Sequence, residues 1–160
     1  DPESSIQPTN YPAAVPIARL RASHQNLRIL HEVMRADVHD PDGTGSAALT
    51  EGLTIGGKTG TAEKAVGGRY KRDALISSFV SAFPMNDPRY VVFAMLDEPK
   101  GNAKTYGFRS AGWTAAPIIG RLISRIGPIL SIQPVDEESE AVQKAMFIPI
   151  NSREKKLASF

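Results

Sequence analysis

The run Ile55-Gly56-Gly57-Lys58-Thr59-Gly60-Thr61-Ala62-Glu63 gathers a lysine, two threonine hydroxyls and three glycines in a stretch otherwise suited to a strand. Read as a strand over Thr54 to Lys64, its alternation puts Thr59 and Thr61 on one face and Lys58 and Gly60 on the other. Hydroxyls at i and i+2 then reach one carboxylate. Gly60 has no side chain, so a substrate or another segment can approach its backbone. An unpaired edge N–H near Thr61 can donate to an oxyanion. Lys58 adds a positive field and a proton donor. This set suits acyl transfer on a substrate that ends in a carboxylate.

A second chemistry fits the same letters. Gly52-Leu53-Thr54-Ile55-Gly56-Gly57-Lys58-Thr59 matches the spacing of a phosphate-binding loop and proposes a P-loop nucleotide-binding protein. Such a loop follows a buried strand and opens a helix whose N-terminus holds the anion. Here Asp42-Gly43-Thr44-Gly45-Ser46 and Leu49-Thr50-Glu51 make a poor buried strand. Gly60, Gly67 and Gly68 follow, each costing about 1 kcal/mol inside a helix. Asp97 after Leu96 is a weak candidate for a magnesium ligand. The surroundings therefore favour the strand.

These residues also have ordinary readings. A lysine on a strand is commonly solvated, and threonines are good strand formers. Gly56-Gly57 fits a bulge or close packing as readily as a catalytic role. His24, His31 and His39 are spaced as surface residues of a helix. No carboxylate or cysteine cluster completes a metal site with them, so neither metal nor cofactor is expected. Tyr106 and Trp113 flank a loop that could border a cleft; loop anchoring is the simpler role for Trp113.

The elements that must position this run follow from pattern. Pro2, Pro8, Pro12 and Pro16 make residues 1–18 extended or loop-like. Ser23 is a candidate N-cap for a helix in which Leu27, Leu30, Met34 and Val38 share a face, with Ile29 and Val33 beside it. Asp40-Pro41-Asp42-Gly43-Thr44-Gly45 ends that helix. Gly67-Gly68 is a turn. Leu75 to Phe83 reads as a strand, and Pro84 to Pro88 as a turn. The unbroken apolar run Tyr90 to Leu96 reads as a strand covered on both faces. Asp97 to Gly112 is a loop. Thr114 to Ile126 is helical, with Ile118, Ile119, Leu122, Ile123 and Ile126 opposite a solvated Arg121 and Arg125, and Gly127-Pro128 stops it. Asp136, Glu137, Glu138 and Glu140 read as solvated charges that open a short helix. The order implies an α+β fold, an antiparallel sheet with helices on one face.

Composition bounds the function. The chain has 160 residues, enough for one domain with a core, and 41% apolar against 22% charged residues marks a soluble globular class. A net charge of +2 gives no argument for nucleic acid. The absence of cysteine excludes disulfides, thiolate metal sites and a cysteine nucleophile. No apolar run reaches the roughly 18 residues of a membrane helix. The opening Asp1-Pro2-Glu3 carries no signal-peptide pattern, which reads as a processed chain or a fragment whose anchor lies upstream.

The motifs together resemble a known family. Lys58-Thr59-Gly60 followed by Thr61-Ala62 is similar to the K-T-G motif of penicillin-binding proteins and serine β-lactamases. Gly43-Thr44-Gly45 after a helix, the run Gly56 to Lys64, Leu96-Asp97-Glu98-Pro99-Lys100, and Ala111-Gly112-Trp113-Thr114-Ala115-Ala116-Pro117 before a last helix are similar to class B penicillin-binding proteins. The likeness covers residues 20–134 and is greatest to the septal, cell-division transpeptidases. It implies the C-terminal portion of the penicillin-binding and serine β-lactamase-like transpeptidase fold over residues 1–134, with a polar tail over 135–160. It also implies a D,D-transpeptidase that cross-links peptidoglycan stem peptides through a serine acyl-enzyme and is acylated by β-lactam antibiotics. Carried over, Lys58 hydrogen-bonds the serine of an S-x-N motif and assists proton transfer. Thr59 and Thr61 hold the terminal carboxylate, the N–H of Thr61 forms half of an oxyanion hole, and Gly60 keeps the strand clear of the nucleophile.

One departure matters. The family order is S-x-x-K, then S-x-N, then K-T-G, and neither serine motif precedes Lys58. Ser152-Arg153-Glu154-Lys155 matches S-x-x-K in letters only, since no apolar helix surrounds it to bury its lysine. The expectation is a fragment without a nucleophile, inactive alone, that pairs with the missing N-terminal part of the same protein or with itself. Other division proteins are further candidate partners, and the expected location is the periplasmic face of the inner membrane. A piece of a serine β-lactamase or β-lactam sensor, and a non-catalytic module binding division proteins, are the alternatives.

Overall fold

Ser23 caps the first helix, α1 (His24–His39), its hydroxyl accepting from Asn26 N at 3.1 Å. That bond satisfies one of the N–H groups a helix start leaves without a partner. The computed structural model describes residues 21–146. The extended reading of residues 1–18 and the Ser152 to Lys155 match lie outside them. Within the described residues the order is α1, β1 (Gly56–Val66), β2 (Arg69–Phe83), β3 (Tyr90–Asp97), α2 (Ala115–Ile129) and α3 (Glu140–Met146), with 3-10 turns at Ser46–Ala48 and Ala103–Thr105.

The three strands form one antiparallel sheet in the order β1-β2-β3. Gly67 and Gly68 join β1 to β2 with φ of 59° and 78°. Two consecutive positive φ values are what a tight hairpin turn needs and what glycine supplies without strain. Thr59 pairs with Phe79 and Thr61 with Ser77, and the ladder slips between Glu63 and Lys64. The sheet's inner face carries Phe79 and Phe83, fully buried with Val38 of α1 and Ile119 and Ile123 of α2. This is the α+β architecture the element order implies. No helix among the described residues is long and apolar enough to cross a membrane.

Several expectations change. β2 begins at Arg69 rather than Leu75, because the hairpin turn pairs its first residues with Lys64 to Val66. Among the described residues β3 is covered on one face only. Tyr90, Val92, Ala94 and Leu96 pack inward, while Val91, Phe93 and Met95 are 73%, 60% and 60% exposed. A continuous apolar run cannot reveal which of its faces is covered. The α1 stripe is likewise half used: Val38 is buried, but Leu27, Ile29, Leu30 and Val33 are exposed. Ile118 and Leu122 on α2 are exposed as well.

Gly127-Pro128 does not stop α2, which runs to Ile129. Proline in the last turn forfeits only the one bond its nitrogen would have donated to the preceding turn, and a helix about to end bends away from the ring at little cost. Gly127 is there for packing, since a Cβ would lie 3.1 Å from Leu53 Cδ1. His31 is not a plain surface residue. Its Nε2 lies 2.7 Å from Met85 O and ties α1 to the β2–β3 turn. Nor is Glu137 solvated. It pairs with Arg35, both side chains being only 12% exposed, and it accepts from Gly52 N at 3.1 Å. Val135 N donates to Gly52 O at 3.0 Å. The short helix expected after these acids forms at α3, with Glu140 alone in its first turn.

Candidate active site

Gly56, Gly57 and Lys58 lie inside β1. No helix starts there, so the phosphate-loop reading of Gly52 to Thr59 is overturned: a loop in sheet conformation points no helix N-terminus at an anion. The glycines answer to packing. A Cβ on Gly57 would fall 2.3 Å from Phe79 Cζ and 2.7 Å from Val80 O, so the bare backbone lets the Phe79 ring lie directly under the strand. A Cβ on Gly60 would meet Ser78 Oγ at 2.7 Å. Gly56-Gly57 is close packing and not a bulge, the irregularity lying at Glu63 and Lys64.

β1 is an edge strand among the described residues, paired on one side only. The carbonyl of Thr59 turns to the free side, where Lys58 Nζ reaches it at 3.2 Å. The two-residue period of a strand puts the backbone groups of Thr61 on that same side. The alternation predicted from sequence places the Lys58 side chain on the face opposite Thr59. At an open edge the ammonium curls round the strand, and it donates to Thr59 Oγ1 at 3.0 Å. The edge thus presents a cation, two hydroxyls and backbone donors together.

Both hydroxyls are held from behind. Thr59 Oγ1 lies 2.7 Å from Thr44 Oγ1, and Thr44 donates to Asp37 Oδ1 at 2.7 Å. Thr61 Oγ1 accepts from Ala111 N at 3.1 Å. Asp37 and Thr44 are hydrogen-bonded neighbours of this edge that motif reading misses. Thr44 stands between two glycines, and this is the one local signal of a special backbone. Gly45 N donates to Asp37 O at 3.0 Å, and a Cβ on Gly45 would come 2.8 Å from Asp37 Oδ2. A Cβ on Gly43 would fall 2.2 Å from the backbone oxygen of Asp37, so the turn folds Thr44 back over α1 only with glycine at 43.

Ala111 is fixed by its loop. Ser77 Oγ donates to Arg109 O at 2.7 Å, and Arg109 donates to Asp73 O at 2.8 Å. Trp113 stacks on Phe108 with ring centres 5.3 Å apart and meets Tyr106 edge-on at 5.6 Å. Trp113 thus anchors the loop, and Tyr106 stands exposed beside it. At the far end of β1, Lys64 Nζ donates to Asp97 at 2.8 Å and to Glu98 at 3.0 Å. The hydrogen bond it donates to Asp97, then that to Glu98, holds the Lys64 ammonium above its ordinary 10.5.

An open cavity of about 340 Å³ adjoins Lys58, between it and Val33, Ala36, Asp37 and Asp42. A larger one of about 780 Å³ lies between α1 and α3, lined by Glu32, Arg35, His39, Gln143 and Met146. It has no clustered hydroxyls and no free edge, so size alone does not make it the reactive cleft. Among the described residues no three His, Asp or Glu side chains gather as metal ligands.

Residues 5–120 match the model of the penicillin-binding protein transpeptidase domain. The chain belongs to this family. It is 44% identical over 123 residues to the probable peptidoglycan D,D-transpeptidase FtsI of Caulobacter vibrioides, covering 72% of this chain and 20% of that protein. It is 38% identical over 99 residues to the stage V sporulation protein D of Bacillus subtilis, covering 62% and 15%. Among solved structures it is similar to the transpeptidase domain of Burkholderia pseudomallei penicillin-binding protein 3, with a TM-score of 0.59 and 31% identity over 70% of this chain and 32% of that one. It is also similar to Mycobacterium tuberculosis penicillin-binding protein 3 complexed with ampicillin, with a TM-score of 0.61 and 26% identity over 74% and 27%. The chain therefore spans a fifth or less of the length of these two curated relatives.

Proposed function

We propose that this chain supplies the carboxylate-binding and oxyanion side of the active site in a peptidoglycan D,D-transpeptidase. The carrying observation is the free edge of β1, where the Lys58 ammonium and the Thr59 and Thr61 hydroxyls meet in a chain of this family. The nucleophilic serine of S-x-x-K and the serine of S-x-N lie outside these 160 residues. The serine oxygen attacks the D-Ala-D-Ala carbonyl, the peptide bond breaks, and the serine proton leaves on the departing D-Ala amine. An amine of a neighbouring stem peptide then takes the acyl group and returns a proton to the serine. Thr59 and Thr61 hold the terminal carboxylate, and Lys58 assists proton transfer through the S-x-N serine. The Thr61 N–H donates to the developing oxyanion, where preorganised donors act most strongly.

β-Lactams acylate the same serine, a reading supported by the ampicillin complex of the Mycobacterium tuberculosis neighbour. The exposed Val91, Phe93 and Met95 are the surface the remainder of the domain covers. The whole protein works at the periplasmic face of the inner membrane. Fluorescent penicillin separates the possibilities. The 160-residue chain stays unlabelled on a denaturing gel, while the full transpeptidase carrying this sequence is labelled. Labelling of the short chain would mean that it contains its own nucleophile, and the proposal would fall.

A further inference from the structure

The hydroxyls behind Lys58 have a fixed proton order. A carboxylate only accepts, so the bond between Thr44 Oγ1 and Asp37 Oδ1, 2.7 Å, uses the single proton of Thr44. The 2.7 Å contact between Thr44 Oγ1 and Thr59 Oγ1 must then use the proton of Thr59. Thr59 Oγ1 is left with lone pairs, and one accepts from Lys58 Nζ at 3.0 Å. Every proton in the line Lys58, Thr59, Thr44, Asp37 points inward. Thr61 is wired the other way. It accepts from Ala111 N at 3.1 Å, so its own proton is free for a ligand.

We propose that Asp37 is a positioning residue that, through Thr44, turns the Thr59 hydroxyl away from an incoming carboxylate and so weakens anion capture at the β1 edge. The inference rests on the reading of this edge as the carboxylate site. In the free protein Thr61 and Lys58 are the ready donors. Thr59 donates to a ligand only by surrendering its bond to Thr44. Asp37 Oδ2 is buried and has no hydrogen-bond partner among the described residues, so the carboxylate's hold on the line rests on Oδ1 alone. Removing that hold frees Thr59.

Asp37→Asn reverses the order. An unpaired buried N–H is worse tolerated than an unpaired acceptor, so the amide nitrogen turns to Thr44 and the oxygen takes the partnerless position. Thr44 then donates to Thr59, and Thr59 donates outward. Thr44→Val reaches the same end with the Asp37 charge kept, because Thr59 loses its inward acceptor. This second variant separates proton direction from charge repulsion.

The test is acylation of the full transpeptidase by benzylpenicillin and by its methyl ester, following the half-saturating concentration apart from the limiting rate. Both variants should lower the half-saturating concentration for the free acid about fivefold, the worth of one net hydrogen bond. The ester and the limiting rate should not change. An unchanged or raised half-saturating concentration for the acid, or an equal gain for the ester, overturns the assignment of Asp37. If the unmodified enzyme takes acid and ester equally well, the carboxylate site itself is wrong, and this inference goes with it.

Discussion

Gly57 has no room for a side chain, and the obstacle is partly backbone. A Cβ would strike the Phe79 ring at 2.3 Å and the Val80 carbonyl at 2.7 Å, and the carbonyl is fixed by the sheet. Gly57→Ala should therefore cost about 2 kcal/mol, typical of overpacking, and read as a lowered urea midpoint with an unchanged slope. Lys58→Ala has the opposite profile. The side chain is exposed and anchors nothing in the core, so stability should hold. Penicillin acylation of the full enzyme should fall about 100-fold, as when an active site loses one preorganised donor. The strand that carries Lys58, Thr59 and Thr61 was legible in the sequence because alternation fixes their relation by local geometry. Asp37 and Thr44 were not, since they meet Thr59 only after the turn at Asp40 to Gly45 folds back on α1.

Two sets of charged contacts tie elements to their neighbours. For the segment after α2 the contact is Glu137, held by Arg35 and Gly52 N. Glu137→Ala leaves the largely buried Arg35 guanidinium without its ion partner. A loss of about 3 kcal/mol follows, measurable by denaturant unfolding. For the β1–β2 hairpin it is the Lys64 pair with Asp97 and Glu98. Their hydrogen bonds raise the Lys64 ammonium above 10.5, so the folded state binds that proton more tightly than the unfolded chain. The contribution is full below 10.5 and disappears as pH rises through the raised value. Lys64→Met should therefore be less stable than the parent at neutral pH, with the gap closing in alkaline melts.

The Ser23 cap, the Gly67-Gly68 turn and the Ile119, Ile123 and Ile126 part of the α2 stripe could be read from local pattern, while Ile118 and Leu122 of that stripe lie exposed. The half-exposed β3 could not, because Val91, Phe93 and Met95 are as apolar as the residues packed beneath them. The Arg35–Glu137 pair joins positions too far apart in sequence for charge patterning to link them.

At the scale of the molecule, Val91, Phe93 and Met95 leave one face of β3 apolar and open, and Leu30 and Val33 do the same on α1. β3 is also an edge of the described sheet. Open apolar edges pair with other chains. The 160-residue chain should self-associate in light scattering, and Phe93→Ser with Met95→Ser should return it to the monomer. A clean monomer of the unmodified chain would count against that face being a covered surface.

The most direct test of the whole account is a crystal structure of the full transpeptidase acylated by a penicillin. The drug's carboxylate should lie within hydrogen-bonding distance of the Thr59 and Thr61 hydroxyls, with its acyl oxygen on the Thr61 N–H and Lys58 beside the S-x-N serine. A carboxylate bound away from β1, or an acyl oxygen turned from Thr61, would contradict it.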